Sequence, residues 1–425
     1  MKKVGIALLG LGTVGGGTYR IIKNNHEKIK LNYDVDLEIK HIIEKDLTKP
    51  KELGVDERIV SCDIENVVND PEIKIVAEFF GGIEPAKSFI IKCLTAGKSV
   101  VTANKEMFAK YWHELQRAAK KGKAGLYFEA SCVGGVPVIR TLTEGMQGNN
   151  IKSIMGIVNG TTNYILSKMT DEGLEYENVL KDAQRLGYAE QDPTADVDGF
   201  DSMYKLSILS SLAFHTKVPV EKIYREGISS ISKIDIEFGK KFGYTLKLLA
   251  IGKNTEDGIE ARVHPAFIPD EHPLASVKES FNAVHIVGDN VGDIMLYGRG
   301  AGDLPTGSAV VSDIVYAAHQ KKHKYTSFKN NVSNLPSKWF SKDFWCEYYI
   351  RMTVKDLPGV IASVSDVLGK HKISINSIQQ EVQGHSASII FMLQKTSEKS
   401  IKKAMSIISK LSTVENIDAI IRVEE

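Results

Sequence analysis

The sequence contains little cysteine. Only four occur in 425 residues, widely spaced and without a CxxC pair: Cys62, Cys93, Cys132 and Cys346. That pattern supports neither a disulfide framework nor a zinc site. Long hydrophobic runs are also missing, since stretches such as VGIALLGLG are far too short to cross a membrane. No signal peptide is recognisable, because MKKVGIALLG leads directly into a glycine loop.

Neither sign of charge dominates the chain. Its formal net charge is +1, so no broad basic surface favours nucleic acid or a membrane. An apolar content of 43% is enough for two or three packed domains. Together these features predict a cytoplasmic protein with no nucleic-acid or membrane partner.

The first third of the chain alternates strand-like and helix-like segments. An apolar run leads into Gly10, Gly12 and Gly15, a helix-like stretch follows, and three more strand-like runs come after it. This alternation predicts an α/β fold, with a Rossmann-type doubly wound parallel sheet over residues 1–130. A helix over about 305–320 is predicted to return to this domain.

The remainder of the chain divides into further units. Residues 131–304 mix strands and helices with glycine and proline turns, which predicts a second, α+β domain. Residues 321–345 are polar and basic without clear periodicity, and are predicted to form a linker. From 346 to 425 the order of elements is βαββαβ, the ferredoxin-like arrangement.

GLGTVG, from Gly10 to Gly15, matches the dinucleotide fingerprint GxGxxG. Gly10 permits a tight turn, Gly12 lets a pyrophosphate approach the backbone, and Gly15 allows the helix to pack closely. The helix N-terminus would attract the phosphates. The alternative is a structural turn in a domain that binds no nucleotide, but the position between strand and helix favours a cofactor.

The end of the second strand, HIIEKD, bears on the choice of cofactor. Glu44 could accept a hydrogen bond from a ribose hydroxyl and favour NAD. Lys45 could instead pair with a 2′-phosphate and favour NADP. The two residues favour different cofactors, so the sequence does not decide between NADP and NAD.

YAEQDPTADVDGFDSMYK, residues 188–205, places five carboxylates ahead of Lys205 and an apolar run. Asp201 and Lys205 are four residues apart and would share one face of a helix. The pair could be an ordinary surface ion pair. It could also be a site where a lysine donates a proton to the alkoxide formed by hydride addition. Spacing alone does not separate these interpretations.

The segment EASCVGG suggests two other kinds of site, a cysteine nucleophile and a cation site. Cys132 could be the nucleophile of an acylating aldehyde dehydrogenase, although no histidine lies between His113 and His215 to activate it. The alternative is that Cys132 is a small residue packed in the core, without a catalytic role. Glu129 and the carbonyls exposed by the glycines after it are the oxygen ligands that hard cations prefer.

Several motifs together resemble one family. GLGTVG, TANKE, FEASCVGGVPVI, NGTTNYIL, GYAEQDPTADVDGFDSMYK and GRGAG occur in the order and with the spacing typical of homoserine dehydrogenase. The resemblance covers residues 1 to about 320, and residues 348–425 resemble an appended ACT regulatory domain. It implies NAD(P)-dependent interconversion of L-homoserine and L-aspartate 4-semialdehyde, with residues 131–304 as the substrate-binding and dimerisation domain.

The resemblance also implies roles for particular residues. Lys205 would be the proton donor and acceptor, with Lys105 beside the nicotinamide and substrate, and Asp201 beside the reacting hydroxyl. Glu190 would hold the substrate ammonium, and Gly160 and Thr161 would contribute to the substrate pocket. A sodium-type cation would be held by the Glu129 carboxylate and by the carbonyls of Cys132, Gly134 and Val136. The cofactor would contact Gly10, Leu11, Gly12, Thr13, Val14, Gly15, Lys45, Gly81, Lys105 and Gly302.

One departure concerns Lys45, because many relatives carry arginine there, which puts a preference for NADP in doubt.

In the ACT domain, Asp356, Gly359 and Asn376 are the candidate residues for an amino-acid effector such as threonine. A homodimer or homotetramer is expected, because sheet edges can pair between copies. A non-catalytic NAD(P)-sensing regulator remains the alternative from another functional class.

Overall fold

The computed structural model describes residues 2–328, 340–383 and 386–425. Its first unit alternates strands and helices: β1 (Lys2–Leu9), α1 (Thr13–Asn24), α2 (His26–Tyr33), β2 (Val35–Ile43), α3 (Thr48–Glu52), β3 (Val60–Ser61), α4 (Glu65–Val68), β4 (Ile73–Glu78), α5 (Ala86–Thr95), β5 (Ser99–Thr102), α6 (Lys105–Gly122) and β6 (Leu126–Tyr127). The six strands are parallel, in the order β3-β2-β1-β4-β5-β6. The strand order reverses between β1 and β4, where a Rossmann sheet opens its ligand crevice.

The second unit follows: α7 (Val138–Arg140), β7 (Ile151–Ile157), α8 (Gly160–Glu172), α9 (Tyr176–Arg185), α10 (Thr194–Val197), α11 (Phe200–Ala213), β8 (Tyr224–Arg225), α12 (Lys233–Lys241), β9 (Tyr244–Thr255), β10 (Gly258–Pro269), β11 (Phe281–Gly288), β12 (Gly292–Arg299) and α13 (Asp303–His319). The last unit contains β13 (Trp345–Lys355), α14 (Val360–Lys370), β14 (Ile375–Gln383), β15 (Ser386–Ser397), α15 (Glu398–Ile408) and β16 (Val414–Val423). Among the described residues, no helix has the length and apolar content needed to cross a bilayer.

The first sheet is buried on both faces, which explains its continuous apolar strands. In β1, every residue from Val4 to Leu9 is buried. Val310 and Ile314 of α13 belong to the same buried cluster as Leu8 of β1 and Ile22 of α1. The helix that follows the second unit therefore packs back onto the first.

The last unit has the sheet order β16-β13-β15-β14, which is that of a ferredoxin-like βαββαβ fold. The expected α/β fold class, with a Rossmann sheet, an α+β unit and a ferredoxin-like unit, is confirmed. The sheet of the last unit does not end at its edge strand β16, however. Ala266 and Phe267 of β10 pair in parallel with Arg422 and Val423 of β16, so one mixed sheet runs through the second and third units.

The segment expected to be a linker, 321–345, falls partly on residues 329–339, which lie outside the described residues. The part before them is packed rather than loose. Phe328 is 1% exposed and contacts Trp112 of α6 edge-on. The Tyr325 hydroxyl donates hydrogen bonds to the carbonyls of Ala119 and Ala124. Polar composition hid these anchors because Tyr325 and Phe328 stand alone among charged residues.

Candidate active site

A cleft of about 570 Å³ lies between the first and second units. Its walls come from the glycine loop, the start of α6, the loop after β6, the starts of α8 and α11, and the loop before α13. Their lining residues include Thr13, Lys105, Ser131, Gly160, Lys205 and Gly302. Chain segments nearly 300 residues apart thus meet at the carboxyl edge of the parallel sheet.

Asp201 lies between two lysines in this cleft. The ammonium of Lys205 is 2.7 Å from Oδ2 of Asp201, and that of Lys105 is 3.1 Å from Oδ1. The Lys205 ammonium also donates to the carbonyl of Val158, at 2.7 Å. Asp201 and Lys205 are both buried, so the spacing of four residues marks a buried pair and not a surface one.

The electrostatics follow from that geometry. Burial alone would raise the pKa of Asp201, but the two ammonium groups hold it well below its ordinary value. The carboxylate in turn raises the pKa of Lys105. The Lys105–Asp201–Lys205 cluster therefore has one negative charge between two positive ones, and this cluster presents a net positive charge to any developing alkoxide. Asp196 and Arg299 also line the cleft.

Asn159 joins this cluster and was missed as a functional residue at the level of sequence. Its amide nitrogen donates to Asp201 at 2.9 Å and to Asp196 at 2.7 Å. Its side-chain oxygen caps α8 by accepting from the amide of Thr162. The signal was present, because asparagine before Gly160 is a typical N-cap, but its second contact depends on the tertiary fold. Asp196, which accepts one of these hydrogen bonds, also lines the cleft.

The position of Lys105 is set by a buried network behind it. Asn104 caps α6 by accepting from the amide of Met107, and it donates to the carbonyls of Phe80 and Gly82. Beneath it, the buried Glu78 carboxyl accepts from the hydroxyl of Thr102 at 2.5 Å. Burial raises the pKa of Glu78 to about 7. The carboxyl ends of β4 and β5 thereby fix the first turn of α6.

The glycine loop has the shape that a dinucleotide needs. A Cβ on Gly15 would lie 2.2 Å from the carbonyl oxygen of Gly10, so the helix could not pack as it does with any larger residue. A Cβ on Gly12 would meet nothing within 4 Å, which leaves open space against the backbone. Gly10 has φ +99°, a conformation that favours glycine. These features fit a bound pyrophosphate.

The predicted substrate residues are only partly brought together. Gly160 and Thr161 line the cleft at the start of α8. The Thr161 hydroxyl donates to the carbonyl of Tyr188 at 2.7 Å, which ties the loop before Glu190 to the cleft. Glu190 itself is exposed and lies outside the cleft lining, and its carboxylate has no partner among the described residues.

Some of the predicted cofactor residues line the cleft and others do not. Thr13, Val14, Lys105 and Gly302 line the cleft, and Gly302, with φ +119°, precedes α13. Gly81 and Lys45 lie outside its lining, and Lys45 is exposed.

Cys132 does not have the surroundings of a nucleophile. Its thiol is fully buried, and its polar neighbours are the Ser131 hydroxyl at 3.7 Å and the Lys205 carbonyl at 3.9 Å. Burial raises the pKa of this thiol to about 12, so the thiolate is scarce at neutral pH. These surroundings do not favour the alternative of an acylating aldehyde dehydrogenase using Cys132.

Glu129 lies in the loop after β6 and is 4% exposed. Its two carboxylate oxygens accept from the amides of Ile139 and Arg140, each at 2.8 Å. Burial and the nearby Asp313 raise the pKa of Glu129 to about 7. The buried carbonyls of Cys132 and Gly134 accept no backbone hydrogen bond from the described residues, whereas that of Val136 accepts from Val138.

The candidate effector residues do not lie together within the ferredoxin-like unit. Asp356 and Gly359 follow the end of β13, where Lys355 pairs with Ser386, whereas Asn376 is at the start of β14, beside Leu393 at the other end of the sheet. Gly359, with φ +90°, precedes α14 and allows the turn after β13. Asp356 and Asn376 are both exposed. Nothing in these contacts identifies a ligand.

Family models match nearly the whole chain. The model described as homoserine dehydrogenase, NAD binding domain, matches residues 10–129, that of homoserine dehydrogenase matches 137–315, and that of the ACT domain matches 348–413.

Individual proteins are similar over the same length. The homoserine dehydrogenase of Bacillus subtilis is 38% identical over 434 residues, covering 100% of this chain and 99% of that protein. The homoserine dehydrogenase of Helicobacter pylori is 41% identical over 425 residues, with 100% and 99% covered. The crystal structure of a homoserine dehydrogenase from Thiobacillus denitrificans superposes with a TM-score of 0.93 at 38% identity, covering 100% of this chain and 99% of that one.

Proposed function

This chain belongs to the homoserine dehydrogenase family, whose members are NAD(P)-dependent oxidoreductases that act on a CH–OH group. We propose a role in this reaction for each of its candidate site residues. The reaction is the reversible reduction of L-aspartate 4-semialdehyde to L-homoserine, in the biosynthesis of threonine, methionine and isoleucine. The observation that carries the assignment of roles is the Lys105–Asp201–Lys205 cluster facing the cleft. A non-catalytic sensor would have no use for two lysines ordered around one buried carboxylate.

Reduction of the aldehyde requires a proton at the new alkoxide. A nicotinamide cofactor held by the glycine loop would supply the hydride to the carbonyl carbon. Lys205 donates the proton to the alkoxide oxygen and recovers it from the hydroxyl in the reverse direction. Asp201 orients the Lys205 ammonium, and the hydrogen bond that this ammonium donates to the Val158 carbonyl fixes its direction. Lys105 adds positive charge where the oxygen becomes negative.

Substrate recognition is assigned to the rim of the same cleft. Glu190 holds the substrate ammonium, and Gly160 and Thr161 form the pocket wall. A Cβ on Gly160 would lie 2.8 Å from the Ser280 carbonyl, which supports a need for glycine there. Because Glu190 is exposed and lies outside the cleft lining, its loop would have to move towards the cleft for the carboxylate to reach the ammonium.

A sodium-type cation is assigned to the loop after β6. The described residues contain no cluster of three acidic, histidine or cysteine ligands, so carbonyls would supply most of the oxygen donors. The buried Glu129 carboxylate and the unpaired carbonyls of Cys132 and Gly134 fit such an ion. Its charge would offset the burial of Glu129 beside Asp313. The ion would hold the loop that backs Lys205.

The ACT unit is assigned a regulatory role, with threonine as effector at the start of α14. The amides after Gly359 are suited to a carboxylate, and Asp356 supplies a polar group nearby in sequence. Asn376 lies at the other end of the same sheet, so it would meet this ligand only across a contact with a second copy. One edge of its sheet is already occupied by β10, so a second copy would pair at the β14 edge. A homodimer or homotetramer is also supported by β12, an edge strand with Tyr297 53% exposed.

The function is tested by adding L-aspartate 4-semialdehyde to the enzyme with NADH or NADPH. Loss of nicotinamide absorbance that depends on the semialdehyde is expected, with homoserine as the product. The Lys205→Ala variant should bind the cofactor yet turn over poorly. Cofactor binding without any semialdehyde-dependent turnover in the native enzyme would contradict the assignment.

A further inference from the structure

The residue at the end of β2 faces the adenosine end of a bound dinucleotide in Rossmann domains, and an acid there is suited to a ribose diol. In this chain that residue is Glu44. Its Oε2 accepts a hydrogen bond from the backbone amide of Leu11 at 2.7 Å. Leu11 stands between Gly10 and Gly12, so the carboxylate lies against the loop that holds the cofactor.

The same carboxylate is fixed from its other side. Oε1 of Glu44 accepts from the amides of Lys45 at 2.8 Å and Asp46 at 3.1 Å. Three backbone donors therefore define its position before any ligand arrives. A carboxylate has about four acceptor sites, and one of the two on Oε2 is still free. That free site can accept one hydroxyl proton.

The cations near Glu44 do not compensate for its charge. Between residues 44 and 58, all lysines and arginines but one are paired with carboxylates, in Lys49–Glu52, Lys51–Glu57 and Arg58–Asp56. Lys45 is the exception. It is exposed, and its ammonium has no partner among the described residues. A flexible exposed lysine thus faces a carboxylate held in place by three amides.

We propose that Glu44 makes this enzyme prefer NAD(H) to NADP(H). The 2′-hydroxyl of NAD donates to the free acceptor site of Oε2. The 2′-phosphate of NADP offers no proton at neutral pH and brings a second negative charge against a fixed one. Lys45 can approach that phosphate only by giving up the mobility of an exposed side chain. The inference rests on the family's use of NAD(P) and concerns which of the two is chosen.

Binding to the full-length enzyme without substrate tests the proposal directly. Nicotinamide fluorescence or calorimetry gives Kd for NADH and NADPH under one salt condition. The native enzyme should bind NADH about tenfold or more tightly than NADPH, the scale of a charge-assisted hydrogen bond. Equal affinities, or tighter binding of NADPH, would overturn the proposal. Failure to bind either cofactor would instead count against the dehydrogenase assignment itself.

Variants then attribute the preference to Glu44. Glu44→Gln keeps the size of the side chain and one acceptor but removes the charge. NADPH should bind at least about fivefold more tightly and NADH a few-fold more weakly. Asp46→Asn is the matched control, since its carboxylate caps the amide of Thr48 and does not contact the glycine loop. It should change the NADH to NADPH ratio less than about threefold.

Two results would reassign the preference. An effect of Asp46→Asn as large as that of Glu44→Gln would mean that the overall charge of the loop, and not the fixed carboxylate, decides. A selective loss of NADPH binding in Lys45→Ala, in an enzyme that already favours NADPH, would identify Lys45 as the phosphate ligand. A ratio that stays near the native value in Lys45→Ala supports the proposal.

Discussion

Replacing Lys205 by alanine should separate proton transfer from folding and cofactor binding. The ammonium makes two contacts of 2.7 Å, with Asp201 and with the Val158 carbonyl. Loss of a general acid lowers turnover about 100-fold or more, which corresponds to about 2.7 kcal/mol of transition-state stabilisation. In the variant Asp201 keeps its contacts with Lys105 and Asn159, so the carboxylate does not become an unpaired buried charge. The fold should therefore survive.

The assay is the initial rate of semialdehyde reduction, with cofactor Kd measured on the same samples. Cofactor affinity should stay within about threefold, because the glycine loop does not contact Lys205. Lys205→Arg retains a positive charge but hardly releases a proton, so it should be nearly as slow as alanine. Lys98→Met is a control for losing a buried lysine, since Lys98 donates hydrogen bonds to the carbonyls of Asp70 and Ile73 and to no other group among the described residues. Turnover of Lys205→Ala within tenfold of native would refute proton transfer by this residue.

Four further results are expected. Glu190→Gln should raise KM for homoserine about tenfold or more through loss of a charge-assisted contact while leaving cofactor Kd nearly unchanged; equal effects on both ligands would limit Glu190 to a structural role. Iodoacetamide at neutral pH should label the exposed Cys62 but not the buried Cys132, with activity retained, as peptide mass analysis and rate assays can check. Sodium should raise the Tm of the native enzyme over a choline control, and Glu129→Gln should remove that increment; an equal increment in both would exclude Glu129 as a ligand. Threonine at millimolar concentration should bind the full-length enzyme and change its activity, and neither heat nor change would leave the ACT unit without this effector.

Much of the fold could be predicted from local patterns in the sequence. The continuous apolar strand ahead of Gly10 and the βαββαβ order of the last elements depend on neighbours in sequence, and the predicted fold class is confirmed. The Asp201–Lys205 pair was predictable as well, since a spacing of four residues fixes a shared helix face. Its burial was not, because that depends on α6 and β7 covering the helix from elsewhere in the chain.

Contacts between distant segments could not be read from the sequence. The direction of Glu44 is set by the Leu11 amide, 33 residues away, so its pattern was equally compatible with either cofactor. Asn159 looked like an ordinary helix cap, and its bonds to Asp196 and Asp201 appear only when α10 and α11 pack beside α8. The pairing of β16 with β10 joins residues more than 150 positions apart, and nothing in either strand identifies its partner.

The shared strand β16 has a consequence for protein engineering. Regulatory domains are commonly treated as detachable cassettes that can be deleted or grafted between enzymes. Here removal of the ACT unit would strip β10 of the backbone partners supplied by Arg422 and Val423. It would also expose the buried Arg262, which now pairs with Glu424. Arg262 would keep only Glu260 among its present carboxylate partners in the described residues, and the unpaired strand edge beside it favours self-association. A shortened enzyme of this kind would need a substitute strand or a polar redesign of β10 to stay in solution.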